Sequence, residues 1–373
     1  MRRRLIEIVA LTALCTGATG CTALRKALGL RQDLKSEQVE SVRAVFAEQR
    51  LCPGHSTQVT VIARLKDGRE LVTEDTPNGK VTWDSYLLRI NGERVDEGKV
   101  GVSADPLRLP LPSTLEIAVV GHPEVSAVLP VQVRFDCAFA TNFNGPDGRS
   151  GNNGQQGQSG QKGEAGRTYS VEGQSGFKHE PGGNGTSGGD ADNGIDGEPG
   201  QDAEDVEVRV TMAQPTPELR LMQVKVTGLA TRREQMFLVD PNGGSLTIYA
   251  GGGSGGVGGQ GGWGGRGGDA GDGEPDGQSG NGGNGGNGGN GSNGGKGGRI
   301  TVIATATAQA YLSSLRFLNA GGRGGSAGAG GGAGSAGSFG RNSARSGRAG
   351  QSGGRSGREG APGPKTEIKI EGR

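Results

Sequence analysis

Gly252-Gly253-Ser254-Gly255-Gly256-Val257-Gly258-Gly259-Gln260-Gly261-Gly262-Trp263-Gly264-Gly265-Arg266-Gly267-Gly268-Asp269 reads as consecutive Gly-Gly-X triplets. After an irregular stretch containing Pro275, the pattern resumes in phase at Gly282, Gly285 and Gly288, and again at Gly294 and Gly297. A period of three matches an extended helix of three residues per turn with a rise of about 3.1 Å. Such a helix is a three-sided rod, and Gly-Gly-X leaves two of its sides without side chains. Bare sides let neighbouring backbones approach closely, so that their N–H and C=O groups can pair between rods. Upstream, Gly145, Gly148, Gly151, Gly154, Gly157, Gly160, Gly163 and Gly166 form an unbroken Gly-X-Y run, with one bare side. Asn281, Asn284, Asn287, Asn290 and Asn293 also recur every third residue. They would line one side at intervals of about 9 Å.

Three arrangements accommodate such repeats: packed rods, a flexible Gly/Ser-type linker, and a collagen-type trimer. Collagen demands many prolines, and the eight Gly-X-Y turns contain only Pro146. Strict phase is unnecessary in a flexible linker, so packed rods are the preferred reading, with partial disorder as the alternative.

Composition sets the same limits. Of 78 glycines in 373 residues, residues 1–143 hold 10. With 31% hydrophobic and 4% aromatic residues, the C-terminal two thirds cannot build a large core from side chains alone. The balance of 40 Lys+Arg against 39 Asp+Glu provides no global field to recruit nucleic acid. Three His, with no visible Ser/His/Asp, Cys/His or paired-carboxylate arrangement, point away from an enzyme, and no cofactor is implied. His55 and His122 sit beside Gly54 and Gly121 and read as loop histidines.

The N-terminus has the pattern of an export signal: Arg2–Arg4, an apolar run from Leu5 to Leu14 interrupted by Glu7, then Ala18-Thr19-Gly20-Cys21. The apolar run is too short for a permanent span. Ala-Thr-Gly-Cys resembles a bacterial lipobox, with Ala18 where Leu is usual. The resemblance implies lipidation of Cys21 and stable membrane anchoring through its acyl chains. Thr22 in place of Asp points to the outer membrane. Cys15 leaves with the signal, so Cys52 and Cys137 remain as an even pair in an exported chain, expected to form a disulfide.

Between those cysteines the pattern is that of an ordinary small domain. Val59, Val61, Ala63 and Leu65 alternate with their neighbours, as in a half-buried strand. Asn91-Gly92 lies between two short strands, the sequence of a tight hairpin. Further strands are expected over 99–102, 115–120 and 128–135, giving an immunoglobulin-like antiparallel sandwich of six or seven strands, whose first strand the Cys52–Cys137 pair would tie to its last. Ser36–Arg50 has helical spacing at Val39, Val42, Val45 and Phe46, but also suits an edge strand. Beyond the first Gly repeat, alternating segments at 205–212, 219–226, 236–239, 245–250, 299–303, 315–320 and 366–371 imply a second β unit. Its Gly-rich insertions are expected as long loops projecting from the edges.

The chain is therefore expected to be mainly β, an N-terminal sandwich followed by polyproline/polyglycine-II-type repeats interleaved with strands. The expected division is a signal peptide (1–20), a tether with a short helix (21–50), the sandwich (51–140) and a collagen-like and acidic linker (141–203). A β unit with its Gly-Gly-X insertion at 251–299 follows (204–320), then a Gly/Arg-rich tail with a terminal strand (321–373).

Three sets of charged residues invite chemistry. Arg266 and Arg323 within Gly-rich repeats look like nucleic-acid-binding segments, but Arg merely takes a triplet position also held by Ser, Val, Gln, Trp, Asp and Asn. Asp190, Asp192 and Asp196 head an acidic cluster suited to calcium, yet neither an EF-hand nor an RTX spacing is met, so no metal is expected there. From Phe339 onward, Arg341, Arg345, Arg348, Arg355, Arg358, Lys365, Lys369 and Arg373 face only three Glu. That excess suits surface glycans or lipopolysaccharide.

The Gly-Gly-X region, about 251–299 and less regularly 321–340, resembles the polyglycine II bundles of certain antifreeze proteins and phage adhesin tips. With its lipobox and strands, the chain is similar to glycine-rich, collagen-like Gram-negative lipoproteins. The resemblance implies a lipid-anchored outer-membrane protein, displayed at the surface, acting as a non-enzymatic scaffold or adhesin. The alternative is a periplasm-facing module whose sandwich binds an envelope partner, with the Gly-rich half as a tether. Membrane contact through the lipid is the one firm partner; oligomeric state stays open.

Overall fold

A computed structural model describes residues 31–373 apart from 77–78, 173–175, 341–343, 352 and 372–373. Cys15, Cys21 and the export signal lie outside the described residues. The chain is mainly β and divides into two units. Of the described residues, unit 1 takes those within 31–137, 212–223 and 236–244, and unit 2 those within 138–211, 224–235 and 245–371.

Unit 1 holds β1 (Val39–Phe46), β2 (Arg50–Leu51), β3 (Ser56–Leu65), β4 (Glu70–Val72), β5 (Tyr86–Ile90), β6 (Glu93–Val95), β7 (Lys99–Gly101), β8 (Ser113–Val119) and β9 (His122–Val133). One sheet has the order β1-β3-β4, with β7 also on β3; the other runs β2-β9-β8-β5-β6. Alternation decides which face of each strand is buried: Val59, Val61, Ala63 and Leu65 on β3, Leu115, Ile117 and Val119 on β8, are all at most 2% exposed. The Asn-Gly turn forms as expected, Asn91 and Gly92 both having positive φ (51° and 86°) and pairing Ile90 with Glu93.

Two expectations need correction here. The short helix within 36–50 is instead β1, because its alternate residues pair antiparallel with β3, from Ser41 opposite Arg64 to Phe46 opposite Val59. The disulfide Cys52–Cys137 is present, but it follows β2 and β9 rather than joining the first strand to the last. Those strands are parallel neighbours, with Leu51 opposite Val133, so the bridge fastens a pairing of only two residues.

Unit 2 holds β10 (Ala138–Asn142), β11 (Thr168–Ser170), β12 (Phe177–His179), β16 (Ser245–Tyr249), β17 (Ile300–Thr305), β18 (Leu315–Leu318) and β19 (Glu367–Glu371). It also holds parts of β13 (Val206–Thr216), β14 (Leu219–Gly228) and β15 (Glu234–Val239). One sheet is β10-β16-β18, all parallel; the other is β15-β14-β13-β17-β19, in which β13, β17 and β19 are parallel. Leu246, Ile248, Val206, Val208, Ile300 and Val302 are buried to 1% or less.

The Gly-rich segments are not edge loops. They continue the parallel strands as six extended rods: rod 1 (144–166) after β10, rod 3 (251–272) after β16, rod 5 (320–338) after β18. Rod 2 (180–203) leads into β13, rod 4 (277–299) into β17, and rod 6 (344–351 and 353–364) into β19. Register is inherited from the strands. Ala138 faces Ser245, 107 residues on, and the amide of Ser254 still meets the Asp147 side chain at the same separation. Val206 faces Ile300, a separation of 94 kept by Asn290 on Asp196. A side-by-side arrangement that begins as a sheet ladder therefore persists after side chains give way to glycine.

Candidate functional site

The rods form two layers of three, 1-3-5 and 2-4-6, parallel within a layer and antiparallel between layers. Within the first layer Gly148 donates to Ser254 O and Gly255 to Arg323 O, at 2.7 Å each. Within the second, Gly194 donates to Asn287 O (2.8 Å) and Gly288 to Gln351 O (2.8 Å). Between layers, Gly262 donates to Asp192 O, Gly286 to Gly262 O, Gly331 to Gly286 O and Gly350 to Gly331 O, at 2.8–3.0 Å.

The number of bare sides follows the number of neighbours. Rods 3 and 4 each bond to four others and carry Gly-Gly-X. Rods 1 and 6, at opposite corners, bond to two and carry Gly-X-Y. Rods 2 and 5 bond to three; rod 5 fills its second position with Gly or small residues such as Ala327, Ala333 and Ala336. A Cβ added at Gly283 would overlap the Gly189 carbonyl oxygen, and one at Gly262 the Gln155 carbonyl oxygen. The corner rods close the lattice, since their remaining sides bear side chains, much as sheets blunt their edges.

Side chains complete the pairing that backbone alone leaves open. In rod 4 five X-position amides donate to side chains instead of to carbonyls. Asn184, Asp190, Asn193, Asp196 and Asp202 on rod 2 accept from Gln278, Asn284, Asn287, Asn290 and Lys296, at 2.5–2.8 Å. Each asparagine of rod 4 repeats the service for rod 6. The Oδ1 atoms of Asn281, Asn284, Asn287, Asn290 and Asn293 accept from the amides of Arg345, Arg348, Gln351, Arg355 and Arg358, at 2.8–3.0 Å. The extra residue near Gly353-Gly354 keeps the rows aligned, because the separation changes from 64 to 65 there. Asn290 donates to Asp196 through both its amide and its Nδ2, which holds the Asp196 carboxyl below the usual carboxylate range.

The outer surface of layer 2-4-6 is thus three parallel columns: acidic and amide residues on rod 2, asparagines on rod 4, arginines on rod 6. Arg345, Arg348, Arg355 and Arg358 are exposed, and none makes an ion pair with a described residue. On layer 1-3-5 the exposed column of rod 3 includes Val257, Gln260, Trp263 and Arg266. Trp263 is 63% exposed and its ring lies across Gly332, where a Cβ would come within 2.7 Å of the indole.

The sequence-derived candidates separate accordingly. Cys52 and Cys137 are bonded. Asp190 and Asp196 are backbone acceptors for rod 4, while Asp192 contributes its main chain between Gln155 and Gly262. Among the described residues no group of three or more His, Cys, Asp or Glu is placed to hold a metal. His122 meets the Leu34 carbonyl through Nε2 at 3.1 Å. The pairing of Trp263 with Gly332 escapes sequence reading, although one signal exists: Gly332 is the glycine in a column otherwise held by Arg323, Ser326, Ala329, Ser335 and Ser338.

Unit 1 contains a separate cavity of about 480 Å³ bordered by Trp83, Tyr86, Leu88, Arg94, Asp96 and Glu97. Among the described residues the buried Tyr86 hydroxyl has no hydrogen-bond partner, and burial pushes its pKa up. Compared with known families, curated proteins and solved structures, the chain matches no family model, no curated protein and no solved structure.

Proposed function

We propose that this chain is a non-enzymatic lipoprotein of the outer membrane, lipidated at Cys21, that displays the six-rod bundle at the cell surface as a scaffold or adhesin. The observation that carries the reading is the pairing of both glycine amides in the triplets of the interior rods, with side chains closing third amides such as that of Asn284. In the triplet Gly282-Gly283-Asn284 every amide has an acceptor: Arg345 O, Gly265 O and Asp190 Oδ1. A tether needs no such closure, whereas a rigid body that holds side chains in fixed columns does. We read the rods as polyglycine-II-type helices and unit 1 as an immunoglobulin-like sandwich, the former because period, neighbour number and bare sides coincide. The Arg column of rod 6 faces surface glycans or lipopolysaccharide in this reading. Protease shaving of intact cells tests it: a displayed chain is cut while periplasmic proteins stay whole. A chain that stays whole until the outer membrane is broken overturns surface display. Cys21→Ser should abolish metabolic labelling with palmitate.

A second reading, a periplasm-facing module that binds an envelope partner through unit 1, is favoured by the Tyr86 cavity, whose buried hydroxyl has no acceptor among the described residues. Uncut chains on intact cells would favour it.

A further inference from the structure

We propose that the exposed strip formed by rod 6 and the asparagine column of rod 4 binds a linear anionic polysaccharide lying along the rod axis. The first support is charge: Arg345, Arg348, Arg355 and Arg358 form one exposed ridge without ion pairs to described residues. The second is rigidity at the base of each side chain. The amide of each arginine is held by an Asn Oδ1, and its carbonyl accepts from Gly282, Gly285, Gly291 or Gly294, at 2.8–3.0 Å. Five rows, the central one held by Gln351, therefore advance one turn at a time, about 9.3 Å per row.

The third support is the donor balance of the strip. The Asn Oδ1 atoms are spent on rod 6, whereas the Nδ2 groups of Asn281, Asn284, Asn287 and Asn293 make no hydrogen bond to described residues. Guanidinium groups donate and never accept. The Arg and Asn columns thus offer donors, with the Gln351 side chain and the Glu359 carboxylate as acceptors on rod 6, and the complement of those columns is a polymer rich in acceptors and negative charge. Nucleic acid fits the pitch poorly, because phosphates follow one another about every 3.4 Å along each strand. Carboxylates on a sugar chain recur at the wider interval of one or two rings, nearer to the row spacing. Carboxylate and Arg can then pair with fork geometry while neighbouring hydroxyl oxygens accept from Asn Nδ2.

This inference rests on the scaffold reading for its setting, yet the two fail separately. The probe is polygalacturonate, with the full-length protein in detergent micelles; dextran, lipopolysaccharide and duplex DNA are the comparison ligands. Binding to polygalacturonate is expected, weakening with salt, without binding to dextran. Arg345→Gln, Arg348→Gln, Arg355→Gln and Arg358→Gln combined should lower the affinity by about tenfold or more. Arg50→Gln, Arg89→Gln, Arg108→Gln and Arg220→Gln combined, with the same change in net charge, should leave it unchanged. Protection of the Gly282, Gly285, Gly291 and Gly294 amides reports whether rod 6 stays docked; if the quadruple variant loses it, Arg348→Gln and Arg355→Gln singly must each weaken binding. Equal losses in both quadruple variants, no loss in either, or tighter binding of DNA or lipopolysaccharide than of polygalacturonate overturns the proposal. A chain that escapes shaving on intact cells but binds polygalacturonate through the ridge refutes surface display and retains this site.

Discussion

At the scale of single residues, a side chain in this molecule is defined by the backbone group it serves. Asp196 is the clearest case, accepting from the Asn290 amide at 2.5 Å and from Asn290 Nδ2. Its pKa is lowered in the fold, so the ionised form contributes stability that is present above the ordinary Asp value of about 3.9. That contribution disappears as pH falls through the lower folded value. Acidification below about pH 4 should therefore speed exchange of the Asn290 amide more than that of Asn287, whose acceptor is the uncharged Asn193. Asp196→Asn should remove the pH dependence; an unchanged profile counts against the assignment. Gly332 makes the opposite point, since its service is to have no side chain. Gly332→Leu should lift Trp263 off rod 5 and red-shift its emission, while buried Trp83 (9% exposed) supplies a constant background. The Asn column was legible in the sequence, whereas the aspartates of rod 2 read only as an acidic cluster. Their partners were not, because Asp196 and Asn290 lie 94 residues apart and only strand register brings them together.

At the scale of elements, period and neighbour number separate what sequence can and cannot convey. A three-residue period identifies a rod and counts its bare sides, and Gly-Gly-X already implies more neighbours than Gly-X-Y. Which rods are adjacent is decided elsewhere, by the parallel pairing of the strands that flank them, such as β13 with β17 and β10 with β16. The same cause misled the reading of 36–50: four apolar residues at near-helical spacing became β1 because β3 offered a partner ladder. The neighbour rule predicts a gradient of mutational cost. Gly262→Ala or Gly283→Ala, in rods with four neighbours, should destabilise the bundle by about 1–3 kcal/mol or more, as a methyl group forced into a packed interior does. Ser150→Ala, on a corner rod, should fall within about 0.5 kcal/mol. Denaturant melts of the variants would check the order, and equal costs at the two sites would contradict it.

At the scale of the whole molecule, stability comes from different sources in different parts of the chain. Unit 1 has an ordinary apolar core and a bridge that closes a separation of 85 residues. Cys52→Ser with Cys137→Ser should lower its resistance to denaturant by about 2–5 kcal/mol. The rods have no comparable core: their interior is backbone, and the hydrogen bond replaces the buried side chain as the repeating contact. Glycine loses more conformational freedom on ordering than any other residue, so isolated rods would not hold their shape. Only mutual closure offsets that loss, and partial closure would leave buried amides without acceptors, which is costly. Order in the bundle should therefore be cooperative across all six rods rather than graded along each one. Amide exchange reads this directly. Gly258, Gly261, Gly264 and Gly267 donate to rod 5, while Gly259, Gly262, Gly265 and Gly268 donate to rod 2, so adjacent residues depend on opposite layers. Cooperative closure requires both sets to exchange at one slow rate and to lose protection together when rod 4 is disrupted by Gly283→Val. Fast exchange of one set alone would indicate layers that open independently. Exchange of both at the free-peptide rate would mean that the repeats form no lattice.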